Sequence, residues 1–441
     1  MSGDRVSAMA TNLVPATIMV IVVLSALSIP FGLGELRTAA GAVAAMLGLA
    51  CVVRAGGMVR LYTLALSAGS LALLMGDADL QGVGSGLNQA GLFCAFLAGL
   101  YALRSAVETS PALAEARRRL HSTRGGARRG ILLVLGWLFS IPLAVGAVSV
   151  LVPLLHSEAS EDERVEAATW GIRGLSLSVL CSPFTVAMGL VTSMLPDIPL
   201  TVFLQVGFPV SLAALVLPML TGACASPLAA GWRVWAVVGR VLAPVAVLVV
   251  VFAVSGRLFG TTAVETAVLL VAPFAVAVAA LGGAPRLRAA LEITRKAWSR
   301  FDSEVAIFVS ALVFAALITR SPTILHLVDH AAHLLGPGPL VVVAMLAVCA
   351  LSAIGIHMAV PGAISLSVLG PLMPTPTAKV ALGFAVLLGW SFGVMTAPGS
   401  IAFLVVTRMF AVPPARIAFG RNLPFMGGLC LLFSVVVVIV L

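Results

Sequence analysis

The chain has 441 residues, of which 61% are hydrophobic and only 10% charged. So little charge cannot cover the surface of a water-soluble domain of this length, which leaves a polytopic membrane protein. The formal net charge of +9 would suit a nucleic-acid binder, but the basic residues lie between apolar runs, where they set membrane orientation, so no nucleic-acid partner is expected.

A membrane span needs about 20 apolar residues. Such runs predict helices at 13–31, 38–54, 60–76, 86–103, 171–195, 198–221, 236–256, 262–282, 304–320, 378–408 and 418–441. The first follows a short stretch with Arg5 and no small-residue cleavage site, so it is expected to be retained as a helix. Two further runs, 131–155 and 339–373, are interrupted by Pro and Gly near their middles and are expected to be re-entrant hairpins. The fold class expected is therefore an all-α polytopic membrane protein with about 11 transmembrane helices plus two re-entrant hairpins.

Charge chooses this topology. With both runs returning to their own side and the N-terminus cytoplasmic, 22 of the 26 Lys and Arg fall on or near the cytoplasmic side. The segment 104–130 contributes Arg104, Arg117, Arg118, Arg119, Arg124, Arg128 and Arg129, and 283–302 contributes Arg286, Arg288, Arg295, Lys296 and Arg300. That is the bias of the positive-inside rule. It implies an integral protein of the cytoplasmic (inner) membrane, with the C-terminus outside and membrane lipid as its surroundings. The acidic run from His156 to Glu163 reads as a solvated connector.

The six cysteines are dispersed with no CxxC pair, as expected of small buried hydrophobes. His326, His330 and His333 lie at i, i+4 and i+7 with Asp329 between them, a metal-like spacing on an amphipathic segment. A polar stripe on an interfacial helix accounts for it, and no metal and no cofactor is expected. Arg173, near the start of the predicted 171–195 helix, and Arg408 are expected to snorkel to the surface, although Arg173 is also placed to assist an anion.

One motif occurs twice. Residues 179–194, VLCSPFTVAMGLVTSM, align without a gap on 394–409, VMTAPGSIAFLVVTRM, with six identities in sixteen positions. The hairpin stretch GAVSVLVPL (146–154) resembles GAISLSVLGPL (362–372), and Leu92-Phe93 matches Ile307-Phe308. A helix, a hairpin and a helix with a central Pro thus recur in order. Five crossings lie between matching helices, so the second copy would be inverted. The halves are an extra helix at 1–36, repeat 1 at 37–222 with hairpin 131–155 and broken helix 171–195, and repeat 2 at 223–441 with hairpin 339–373 and broken helix 378–408. Proline removes a backbone donor and breaks a helix, which in lipid is tolerated only where the break is buried or lines a cavity. Half-helix N-termini carry partial positive charge and unwound carbonyls can hold a cation. The candidate binding residues are Ser182, Pro183, Thr185, Thr396, Pro398, Gly399 and Ser400 at the breaks, with Ser140, Gly146, His357, Pro361 and Gly362 from the hairpin tips FSIPLAVGA (139–147) and IHMAVPGA (356–363). No Asp or Glu lies at any of these centres, which favours an anion or neutral polar solute. His357 is the one ionisable residue in either hairpin and is expected either to brace its tip or to take a proton coupled to substrate.

These motifs and their order resemble the ion transporter superfamily, which includes divalent anion–sodium symporters and arsenite permeases. The resemblance implies five-helix inverted repeats, a scaffold part, a mobile elevator-like transport part and a homodimer. It also implies secondary active transport of a small organic anion, coupled to sodium or protons. The symporters' Ser-Asn-Thr tips are absent here: the three Asn are Asn12, Asn88 and Asn422, none in a hairpin. A cation/proton antiporter of the same superfamily would need a buried carboxylate at the breaks. An integral-membrane enzyme would need a cluster of catalytic side chains. Neither is found, so an enzyme is not expected.

Overall fold

The computed structural model describes residues 2–121, 128–152, 155, 159–398 and 400–441, and all regular structure among them is helical. Among the described residues, eight helices are long and apolar enough to cross a membrane, or ten if each of two sharply bent pairs is one span. The sequence expectation is eleven. The first apolar run is helical as far as Ser28, the end of the 27-residue α1 (Ser2–Ser28), and α14 (Asp302–Ile318) reaches span length only with the bent helix before it. The run at 171–195 is split in two. All six cysteines are free and buried, as expected.

The chain forms two compact units, and each draws on both halves of the sequence. The first comprises Met1–Ala106, Val254–Gly336 and Ala359–Met373. In it α1 packs on α2 (Gly34–Arg54), and α14 packs on α2, on α3 (Gly57–Met75) and on α17 (Ala359–Leu369). Phe93 of α4 (Gln81–Glu108) stacks on Phe308 of α14, with ring centroids 4.9 Å apart. Asp77, in the turn between α3 and α4, accepts from the Ser321 hydroxyl at 2.6 Å and from the Thr323 N–H at 2.8 Å. It thereby holds the start of α15 (Pro322–Leu335), the helix that carries the histidine stripe. No residue of α15 is buried, as suits an interfacial helix.

The second unit comprises Val107–Ala253, Pro337–Met358 and Pro374–Leu441. It contains α5 (Pro111–His121), α6 (Arg128–Leu143), a 3₁₀ turn at Ala144–Ala147, α7 (Val148–Leu151) and α8 (Glu161–Ser178). Further along come α9 (Val186–Met194), α10 (Leu200–Leu220), most of α11 (Trp232–Phe259) and α16 (Pro337–Ala353). The unit closes with α18 (Pro376–Thr396), α19 (Ile401–Met409), α20 (Pro414–Ala418) and α21 (Asn422–Val440). Its two most extensive helix pairings are α6 on α8 and α16 on α18. Both need a glycine. A Cβ on Gly174 would stand 2.0 Å from the Leu133 carbonyl oxygen of α6, and one on Gly389 2.6 Å from Val348 of α16. Close backbone approach at small residues is how apolar helices associate without a hydrophobic driving force.

The helix α8 starts ten residues earlier than its apolar run because Ser160 and Glu163 form a reciprocal capping box at its N-terminus. Glu161, Asp162 and Glu163, expected in a connector, are therefore its first turn; His156, Ser157 and Glu158 lie outside the described residues, as does Pro153.

Candidate functional site

Both proline-bearing helices are broken, and both resume at matching positions, Val186 and Ile401, although the first ends three residues earlier in the motif than the second. The first stops at Ser178, where turn bonds from Cys181 N and Ser182 N to the Ser178 carbonyl (3.2 and 2.8 Å) close it off, and α9 begins at Val186. The second stops at Thr396 and resumes as α19 at Ile401. In each, a hydroxyl residue caps the returning half-helix. Thr185 accepts from Met188 N at 3.3 Å, and Ser400 accepts from Phe403 N at 3.4 Å. The hydroxyls expected to bind a ligand thus also satisfy backbone donors left over at a helix start. Thr185 further donates to the Ser182 carbonyl at 3.2 Å, and Thr396 donates to the Phe392 carbonyl at 2.8 Å.

The first hairpin region meets both breaks. The Ser182 hydroxyl donates to the Ile141 carbonyl of α6 at 3.2 Å and accepts from Phe184 N at 3.2 Å. The 3₁₀ turn and α7 pack on α19, across from the second break. At this tip Ala144 has φ +46°, a left-handed conformation that costs an alanine about 1–2 kcal/mol. Ser140, fully buried one turn earlier, has a hydroxyl with no hydrogen-bond partner among the described residues. Gly146 is buried and its carbonyl accepts from Ser149 at 2.8 Å. The α10 backbone presses on the first break as well: a Cβ on Gly207 would lie 1.9 Å from the Leu180 carbonyl oxygen.

His357 lies in the bend after α16, just past Gly355 at φ +98°. Its ring is 9% exposed and meets Trp390 of α18 edge-to-face at 5.8 Å. Among the predicted residues, Ser140, Gly146, Ser182, Pro183, Thr185, His357, Thr396, Pro398 and Ser400 belong to this unit, although Pro398 is exposed. Pro361 and Gly362 do not join them, because α17, which carries both, packs within the first unit. Gly399 lies outside the described residues.

Two features escaped the sequence. Ser176 and Ser391 exchange hydrogen bonds, each hydroxyl donating to the other's carbonyl, at 2.7 and 3.0 Å. The two residues are 215 apart, the same offset as the broken-helix motif and as Phe93 and Phe308. The repeat alignment, extended three residues upstream, would have paired them. Arg173 does not snorkel. It is 6% exposed, donates through Nε to the Asn422 side-chain oxygen at 2.9 Å and through a terminal nitrogen to the Arg421 carbonyl. Its guanidinium lies 4.8 and 4.7 Å from the ring centres of Trp170 and Phe425. Arg408, by contrast, is exposed, as expected.

No group of three or more His, Cys, Asp or Glu among the described residues could hold a metal ion, the α15 histidines included. Hydroxyls, half-helix N-termini and backbone carbonyls remain as the chemistry at the breaks. No family model matches the chain, and no curated protein matches it in sequence.

Proposed function

We propose that the protein is a secondary transporter that carries a small organic anion across the membrane, with sodium or protons as the coupling ion. The proposal includes two inverted-topology repeats of five helices and the second unit as the part that holds the substrate. The observation that carries it is the symmetric pairing 215 residues apart. Two equivalent residues that each donate to the other are what a two-fold relation between the repeats would produce, as at an isologous interface. Ser176 and Ser391 do so one turn before two helix breaks that Thr185 and Ser400 cap alike. Breaks related in this way are the construction of secondary-transporter sites.

The sign of the substrate follows from the lining. The α9 and α19 N-termini carry partial positive charge, and no carboxylate stands at either break to oppose an anion. Ser140 supplies a buried hydroxyl in want of an acceptor. The expected result of a thermal-unfolding screen against organic acids, with and without sodium, is a rise in unfolding temperature with at least one anion, since a ligand of the native state stabilises it. A response to organic cations alone would contradict the proposal.

A further inference from the structure

Away from the breaks, the second unit contains a cavity of about 670 Å³ lined by charged, aromatic and small side chains. Three helices begin at its rim: α6 near Arg129, α8 with Asp162, Glu163 and Glu166, and α21 behind Arg421. Trp170 and Phe419 complete its walls. The arginines and acids lining it are equal in number, but their pairing is uneven. Arg129 pairs with Glu166. Arg416 is shared between Glu161 at 2.8 Å and Asp162 at 2.6 Å, so these two carboxylates have one cation between them. Arg421 has no ion pair among the described residues. Directly behind it Arg173, also without a carboxylate, binds the Arg421 carbonyl and stacks on Trp170. The cavity therefore has a positive pole at Arg421 and a negative pole at the start of α8, joined by aromatic walls.

We propose that this cavity binds a small dipolar group in which a primary ammonium is linked to a phosphate. The phosphate would sit on Arg421, where charge-assisted hydrogen bonds are strongest. The ammonium would face Asp162 and Glu161 and lie against the ring of Phe419. An ammonium that keeps its N–H donors satisfies these carboxylates; a trimethylated one cannot. Two sources share this chemistry: the head group of phosphatidylethanolamine and free phosphoethanolamine. The inference concerns a site separate from the helix breaks and does not depend on what, if anything, the protein transports.

The test uses the full chain in phosphatidylcholine nanodiscs and reads the thermal unfolding midpoint. One arm adds phosphatidylethanolamine to the disc, a second adds phosphatidylglycerol, and two soluble arms add phosphoethanolamine or inorganic phosphate. The expected result is a rise with phosphatidylethanolamine or with phosphoethanolamine, the responding arm naming the source, and a smaller rise with the purely anionic probes. In Arg421→Gln and in Asp162→Asn the apparent affinity should fall about tenfold, while Arg421→Lys retains it. Should Arg421→Gln fail to fold, Asp162→Asn and Arg421→Lys still decide the matter. An equal response to phosphatidylglycerol or phosphate, no response to either ammonium compound, or a response unchanged in Asp162→Asn would overturn the assignment.

Discussion

Arg173 is a full positive charge with only neutral partners: one amide oxygen, one backbone carbonyl and two aromatic faces. Asn422 is itself held by donating to the Ile417 carbonyl at 3.1 Å, so its oxygen is aimed by α20. Asn422→Leu should strip one acceptor from a buried cation and cost about 1–3 kcal/mol in denaturant unfolding. Asn422→Asp, which offers a carboxylate instead, should be better tolerated. The sequence marked Arg173 as unusual but could not place it, because its partner lies some 250 positions away and an arginine near a helix start reads as surface-seeking. Asp77 is a simpler case. Bonds from Ser321 and Thr323 hold its carboxyl down at about 2 rather than 3.8. A carboxyl lowered on folding stabilises the native state above its unfolded value and loses that contribution as pH falls. Wild type should therefore lose stability as pH drops from about 4 towards 2, and Asp77→Asn should flatten that part of the pH profile of the unfolding temperature.

The helix breaks were legible because proline states its effect locally: a missing donor and a steric clash end a helix wherever they fall. The N-capping by Thr185 and Ser400 was legible in position but not in role. A hydroxyl at a break can serve a ligand or a backbone, and only the geometry shows that each already serves a backbone N–H. The capping box that starts α8 lies in the acidic run, where charge alone suggested a connector. The assignment of α17 to the first unit could not be read at all, since packing of one apolar helix against another leaves no periodic signal when both are apolar all round. Re-entrance of 131–155 is the remaining claim about an element. Cysteines placed at Arg129 and at Ser157, the latter outside the described residues, should both react with an impermeant thiol reagent from the same side of the membrane. Reaction from opposite sides would make the run a full span.

Each compact unit is assembled from pieces of both halves of the chain, so the proposed repeats and the units divide the molecule along different lines. One residue pair in each unit marks the repeat offset: Phe93 with Phe308 in the first, Ser176 with Ser391 in the second. Composition and charge gave the membrane class, but the caps at the breaks and the Ser176–Ser391 pair come from an arrangement that no local pattern encodes. Flux is the most direct measurement: uptake of labelled small organic acids into proteoliposomes that contain the purified chain, with sodium and pH gradients imposed in turn. The reading advanced above predicts saturable uptake of at least one organic anion driven by one of the gradients. It also predicts a fall of about tenfold or more in Thr185→Val/Ser400→Val, which removes the capping hydroxyl at each break. Absence of uptake for every organic anion by folded protein, or uptake undiminished in the double variant, would contradict it.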